Sequence, residues 1–110
     1  MAMTAQELVA EAKKHIRETD VAGARELIGK ALTIDVREPA EFANGSLPGA
    51  INIPRGVLEF QISNHPAFRE AQSAEILVYC QSGGRSALST EALQKLGYAN
   101  PVSLAGGFKA

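Results

Sequence analysis

The chain has 110 residues, 45% of them hydrophobic, which predicts one domain with a core that needs no disulfide or structural metal. Its 11 basic and 12 acidic residues give a formal net charge of -1, which argues against a nucleic-acid partner because phosphate-backbone binding needs a basic excess. No apolar stretch approaches the roughly 20 residues that cross a bilayer, and the N-terminal segment lacks the apolar core of a signal peptide, so we expect a cytoplasmic protein without a membrane partner.

The first third of the chain predicts two helices followed by a strand. Apolar side chains at helical spacing indicate an amphipathic helix over Ala5–Ile16, with Thr4 as its N-cap. Asp20 is the expected cap of a second, shorter helix that closes near Gly29. The segment Ala31–Val36 is short, β-branched and mostly apolar, which predicts a buried strand.

The middle of the chain predicts short elements separated by turns. Pro39–Ala43 indicates a single helical turn, and Ala50–Ile53 indicates a short strand after a turn-rich stretch. Pro54–Phe68 predicts two short helices. Within that segment Phe60 and Phe68 are expected to be core or pocket-wall residues.

The last third contains the clearest strand, Glu75–Tyr79, followed by a helix over Arg85–Leu96 that Gly97 ends. Pro101–Leu104 predicts a final strand. Strands that alternate with helices pair in parallel, and apolar strands without alternation have both faces buried. The predicted fold class is therefore α/β, with a central parallel β-sheet flanked by α-helices on both faces, and ligands bind such sheets at the carboxyl ends of the strands.

Cys80 directly follows the Glu75–Tyr79 strand, and a glycine-rich loop then leads into a helix. A lone cysteine in this position could be a core residue. The loop changes that interpretation, because its backbone N–H groups can form an anion cradle at the positive end of the helix dipole. A thiol in such a cradle ionises more easily. We therefore predict that Cys80 is catalytic and that the substrate is bound by Gln81, Ser82, Gly83, Gly84, Arg85 and Ser86.

Two reaction classes use a strand, a cysteine, a loop and an arginine that begins a helix. Cysteine phosphatases place five residues between the cysteine and the arginine, whereas four residues separate Cys80 from Arg85. A shorter loop encloses less volume and fits one added sulfur atom better than a phosphate. The spacing favours sulfur transfer over a phosphatase or arsenate reductase, which stays open as an alternative.

Charged residues near the predicted site suggest supporting roles. Asp35 and Arg37 lie two apart at a strand end and project to the same side, so we expect an ion pair that braces the loop. Arg85 lies at the positive end of a helix dipole, so it needs a partner, either a carboxylate or the donor anion. Glu38 and Glu41 are expected to be the solvated start of a helix.

The sequence predicts no metal site. One cysteine excludes an internal disulfide, a CxxC redox pair and a cysteine-rich zinc site. His15 and His65 lie far apart in sequence without a carboxylate pattern beside them, so we expect solvated histidines and no Cys–His dyad.

Four segments together resemble the rhodanese family of sulfurtransferases. They are the loop Cys80–Ser86, the DVREP segment Asp35–Pro39 followed by Glu41 and Phe42, the segment Gly45–Pro54, and the closing Leu104–Phe108. They occur in family order, and the resemblance runs from about Asp20 to the C-terminus, which is most of the chain. The resemblance implies one rhodanese domain over residues 1–110, in which residues 1–18 form an N-terminal helical extension.

The chain departs from the family pattern at two places. Ser46 occupies a position where the family usually has histidine, and the sequence ends at Ala110, before the usual tryptophan. We expect the first difference to alter hydrogen bonding in the loop more than the chemistry. The second suggests a truncated C-terminal end.

The resemblance implies a ping-pong sulfur transfer without a metal or organic cofactor. Cys80 would take a sulfane sulfur from a small-molecule donor such as thiosulfate and pass it, as a persulfide, to cyanide in vitro or a thiol in the cell. Two alternatives stay open within the family. The chain could be a non-catalytic rhodanese-like interaction module, or a persulfide carrier whose partner is a sulfur-relay protein.

Overall fold

The computed structural model describes residues 2–109, and within them five strands form one parallel sheet. The strand order is β1-β5-β4-β2-β3, and each neighbouring pair is parallel. The predicted α/β class with a parallel sheet is confirmed. The strands are β1 (Arg17–Thr19), β2 (Leu32–Asp35), β3 (Ile51–Asn52), β4 (Glu75–Tyr79) and β5 (Asn100–Leu104).

Helices connect the successive strands, as parallel pairing requires, and one further helix precedes β1. In the described part of the chain the α-helices are α1 (Ala5–Lys13), α2 (Val21–Leu27), α3 (Pro39–Ala43), α4 (Leu58–Gln61) and α5 (Gly84–Lys95). Short 3-10 turns, Arg55–Val57 and Ile62–Asn64, flank α4. None of the helices within residues 2–109 has the length and apolar character that crossing a membrane would need.

The two predicted N-caps are confirmed. Thr4 Oγ1 accepts from the Glu7 N–H at 3.0 Å, and Glu7 Oε1 accepts from the Thr4 N–H at 2.8 Å, which together form a capping box. Asp20 Oδ1 accepts from the Gly23 N–H at 2.9 Å at the start of α2. The first helix ends at Lys13 rather than Ile16, because the chain turns there into β1.

Strand β4 shows that both faces of the sheet are buried. Ile76, Val78 and then Cys80 join one core cluster, whereas Leu77 and Tyr79 join the other. The first cluster includes side chains of α4, the adjoining turn and α5: Leu58, Ile62 and Leu93. The second includes Ala24 of α2. Helices therefore cover both faces, as the sequence predicts.

The segment Pro54–Phe68 differs from its prediction. One continuous run of short helical pieces occupies residues 55–64, and turns rather than a second helix follow it. Phe68 is buried as expected, but Phe60 is 80% exposed, so its predicted burial is wrong. The reason is helical geometry: Leu58 and Ile62, four residues apart, point into the core, and Phe60 lies between them on the opposite side.

The domain boundaries stay a prediction. The expected truncation concerns Ala110, which lies outside the described residues. The proposed N-terminal extension contains α1, which packs against α5.

Candidate active site

Cys80 lies at the carboxyl end of β4, in the predicted cradle of hydrogen-bond donors. Its side chain is 1% exposed. The Sγ atom accepts from the backbone N–H of Gly83 at 3.1 Å and of Ser86 at 3.3 Å, and the Ser86 Oγ lies 3.6 Å away. Gly83 has a φ of +109°, a left-handed conformation that glycine adopts without strain. That turn directs the N–H groups at the start of α5 onto the sulfur.

The surroundings favour the thiolate form of Cys80. Burial raises the pKa of the thiol, but hydrogen bonds from the Ser86 hydroxyl and from the backbone N–H groups of Ser86, Gly83 and Ser82 outweigh burial and lower the pKa below its ordinary value. Since the thiolate is the nucleophilic form of cysteine, the geometry favours the reactive form of Cys80.

A buried serine pair supports the cradle from the sheet side. Ser86 Oγ lies 2.8 Å from Ser103 Oγ and 3.2 Å from the Gly83 carbonyl oxygen. Both serine side chains are fully buried. Ser103 was not predicted as a site residue, although a polar residue in the apolar strand Pro101–Leu104 is a signal that could have identified it.

The expected ion pair between Asp35 and Arg37 is present and buried. Asp35 is fully buried and Arg37 is 3% exposed. The guanidinium Nη2 lies 2.7 Å from Asp35 Oδ2, and Nε lies 3.0 Å from Oδ1. The hydrogen bond to Asp35 raises the pKa of Arg37. Arg37 also donates to the Gly45 carbonyl at 2.6 Å and to Gln81 Oε1 at 3.4 Å, so the pair connects β2 to the cysteine loop.

The segment after β5 closes over the cysteine loop. The N–H of Phe108 donates to the Cys80 carbonyl at 2.7 Å, and the N–H of Lys109 donates to the Gln81 carbonyl at 3.2 Å. Gly107 has a φ of +70°, and a Cβ at this position would lie 2.6 Å from the Cys80 carbonyl oxygen. A glycine is therefore required where these two backbone segments meet.

Arg85 forms an ion pair that the sequence left undetermined. Its Nη1 lies 2.8 Å from Glu41 Oε1, and its Nη2 lies 3.1 Å from Glu41 Oε2. The hydrogen bonds from the Arg85 side chain and the Glu38 N–H lower the pKa of Glu41 to about 2. Glu41 lies in the first turn of α3 and is about a third exposed, as a solvated helix start would be, but the sequence did not predict that it pairs with Arg85. The carboxylate is the partner that Arg85 needs at the positive end of α5.

The other predicted loop residues have different surroundings. Ser82 is exposed, and a Cβ at Gly84 would lie 3.7 Å from Val9 of α1, so Gly84 faces the N-terminal helix. Arg55 pairs with Glu59 at 2.9 Å. Of the six predicted substrate-binding residues, the structure brings Ser82, Gly83 and Ser86 to the sulfur, while Gln81 and Arg85 contact Arg37 and Glu41.

The histidines lie outside this site. His15 is more than half exposed, and His65 Nδ1 accepts from the Ala67 N–H at 3.1 Å. Among residues 2–109, no three His, Cys, Asp or Glu side chains group in a way that could hold a metal ion.

Comparisons with known proteins agree in the family they indicate. A family model described as Rhodanese-like domain matches residues 8–110. Thiosulfate sulfurtransferase 16 of Arabidopsis thaliana, named as chloroplastic, is 41% identical over 86 residues, 70% of this chain and 70% of that protein. The human thiosulfate:glutathione sulfurtransferase is 36% identical over 90 residues, 74% of this chain and 78% of that protein.

A solved structure from Rhodopseudomonas palustris has a similar fold. It has a TM-score of 0.89 and 28% identity, and the match covers 99% of this chain and 89% of that one. That protein is described as one of unknown function and a possible tyrosine phosphatase.

Proposed function

The chain belongs to the rhodanese-like domain family, and on that premise we propose that it is a thiosulfate sulfurtransferase in which Cys80 carries the transferred sulfur. The observation that supports this most strongly is the cradle around the Cys80 sulfur, built from the N–H groups of Gly83 and Ser86 and the Ser86 hydroxyl. Such donors stabilise a thiolate before the reaction and an anionic persulfide after it.

The proposed reaction has two half-reactions. The Cys80 thiolate attacks the outer sulfur of thiosulfate, a new S–S bond forms, and the old S–S bond breaks with its electron pair leaving on sulfite. An acceptor, either cyanide or a thiolate, then attacks the outer sulfur of the Cys80 persulfide. Thiocyanate or a new persulfide leaves, and the Cys80 thiolate is regenerated. Each half-reaction conserves charge, and neither half-reaction requires a cofactor. We therefore predict that the protein acts without one.

The phosphatase alternative has less support. The resemblance to the R. palustris protein brings this activity into consideration. Four residues separate Cys80 from Arg85, however, and both terminal nitrogens of Arg85 are bonded to Glu41. A phosphate would need a wider loop than these four residues form, and like thiosulfate it would compete with Glu41 for Arg85.

Two further roles within the family are compatible with the same fold. A persulfide carrier would share the first half-reaction and pass its sulfur to a relay protein. A non-catalytic interaction module would not need the donors that surround Cys80, which favours a role that uses the sulfur. We also propose a cytoplasmic location, although the Arabidopsis relative is named as chloroplastic.

The proposed activity is tested by steady-state formation of thiocyanate from thiosulfate and cyanide. A ping-pong mechanism predicts parallel double-reciprocal lines when thiosulfate is varied at several cyanide concentrations. Cys80→Ser should lower the rate at least about 10³-fold, because the alcohol is a far weaker nucleophile. Ser73→Ala, an exposed serine before the amino end of β4, is the control and should keep the parent rate.

The persulfide carrier and the phosphatase would give different results in the same experiment. A carrier loads sulfur from thiosulfate but turns over slowly with small acceptors. A phosphatase releases phosphate from an aryl phosphate and forms no thiocyanate. Equal thiocyanate formation by the parent and Cys80→Ser would contradict the proposal.

A further inference from the structure

Glu41 occupies both terminal guanidinium nitrogens of Arg85, which are groups able to bind an anion. Both terminal guanidinium nitrogens are bonded to its two carboxylate oxygens, at 2.8 and 3.1 Å. Glu41 Oε1 also accepts from the Glu38 N–H at 3.0 Å, so the backbone at the start of α3 holds the carboxylate in place. About a third of each side chain is exposed, so this pair lies at the surface, where a solute can reach it.

Arg85 directly precedes Ser86, whose N–H donates to the Cys80 sulfur at 3.3 Å, so Arg85 lies in the turn that holds the sulfur. Hydrogen bonding to Glu41 is the main cause that raises the pKa of Arg85, and the negative charges of Cys80 and Glu38 add to the effect. Arg85 is thus a cation near the sulfur, and two carboxylates act on the same guanidinium.

Arg37 does not replace that charge. It contacts Gln81 of the cysteine loop, but its side chain is 3% exposed and its charge is neutralised by Asp35. An incoming anion therefore meets the Arg85 cation together with the charges of Glu41 and Glu38.

We infer that Glu41 is a specificity-determining residue, which competes with the donor for Arg85 and selects against dianionic donors in favour of singly charged ones. This inference rests on the proposed sulfur transfer. The protein still takes sulfur from thiosulfate, which is a dianion. The charge of Glu41 makes this loading slower than it would be without that charge. The physical reason is that a fixed carboxylate repels a double charge twice as strongly as a single one.

Two donors that react through the same kind of sulfur atom but differ in charge can show whether the effect of Glu41 depends on the charge of the donor. Thiosulfate carries two negative charges, and methanethiosulfonate, in which a methyl group replaces one oxygen, carries one. In both cases the Cys80 thiolate attacks the outer sulfur, and the S–S bond breaks with its electrons leaving on sulfite or on methanesulfinate. The attack thus has the same form, while the charge that faces Glu41 differs.

The deciding variant is Glu41→Gln. It removes the charge, and its amide oxygen can still accept from the Glu38 N–H. For an assumed separation of roughly 6 Å between the Glu41 carboxylate and a bound dianion, removing the unit charge in a water-like dielectric changes binding about tenfold, and for a monoanion the factor is the square root, about threefold. We expect kcat/KM for sulfur loading to rise by these two factors for thiosulfate and methanethiosulfonate, and the thiosulfate gain to shrink with added salt.

Glu75→Gln is the matched control. It removes the same charge at the exposed amino end of β4, the end of the strand opposite to Cys80, so neither donor should change by more than about twofold. If Glu41→Gln folds poorly, Glu41→Ala is the second variant, because alanine has no charge and favours helix formation. It should also give a larger gain in kcat/KM for thiosulfate than for methanethiosulfonate.

If Glu41→Gln changes kcat/KM by the same factor for both donors, or lowers kcat/KM for thiosulfate, the inference is wrong. Glu41 would then only position Arg85. That result leaves the proposed function intact. If the parent loads sulfur from neither donor, the proposed function itself fails.

Discussion

Replacement of Arg37 by leucine should strongly destabilise the fold, because it leaves a buried carboxylate without a partner. Asp35 is fully buried and receives three side-chain hydrogen bonds from Arg37, at 3.0, 3.1 and 2.7 Å. Removing one partner of such a pair costs about 3–5 kcal/mol. The loss of the bonds to Gly45 and Gln81 acts in the same direction. We therefore expect Arg37→Leu to lower the free energy of unfolding by at least about 3 kcal/mol.

The measurement is urea unfolding at neutral pH, followed by circular dichroism. Arg55→Leu is the control: its pair with Glu59 spans i to i+4 and has side chains 29% and 38% exposed, so its loss should cost under about 1 kcal/mol. The double variant Asp35→Asn with Arg37→Leu should be more stable than Arg37→Leu alone, because no buried charge is left unpaired. If Arg37→Leu lies within about 1 kcal/mol of the parent, the buried pair does not brace the loop.

Three further predictions concern the loop and its neighbours. Gly107→Ala should lower the free energy of unfolding by about 2–4 kcal/mol in the same urea experiment, because a Cβ would clash with the Cys80 carbonyl at a positive φ; an unchanged midpoint would contradict this. Glu41 has its pKa lowered from 4.5 to about 2 in the folded state, so the Arg85 pair stabilises the fold above about pH 4.5, and this stabilisation is lost as the pH falls toward 2. The difference in Tm between the parent and Glu41→Gln should therefore shrink between those pH values, and a constant difference would refute the assignment. Ser86→Ala removes a donor to the thiolate, so the pH profile of Cys80 alkylation by iodoacetamide should move to higher pH; Ser86→Thr should restore it, and an unmoved profile in Ser86→Ala would exclude the hydroxyl as a determinant.

The features that the sequence predicts correctly are encoded over short stretches of chain. Strand Glu75–Tyr79 and the caps Thr4 and Asp20 depend on neighbouring residues, and the structure has them at the predicted positions. The cradle at Cys80 is also local, because a glycine turn and the start of one helix supply its backbone donors. For that reason the centre of the candidate site could be predicted from about seven consecutive residues, Cys80–Ser86.

The features that the sequence misses depend on contacts between distant segments. Glu41 and Arg85 lie 44 positions apart in sequence, and no local pattern specifies that they pair. Ser103 reaches Ser86 only because β5 lies beside β4 in the sheet. Strand β1 has three residues, two of them charged, and it forms by pairing with Val102–Leu104 near the other end of the chain. Its own sequence carries too little β-propensity to predict it.

The central claim is that Cys80 carries the transferred sulfur, and the most direct test is the intact mass of the protein after incubation with thiosulfate. Because the chain has one cysteine, a gain of one sulfur atom that cyanide then removes identifies the persulfide without peptide mapping. We expect this gain in the parent and not in Cys80→Ala. A reduced, folded parent that gains no sulfur from thiosulfate or from methanethiosulfonate would contradict the account.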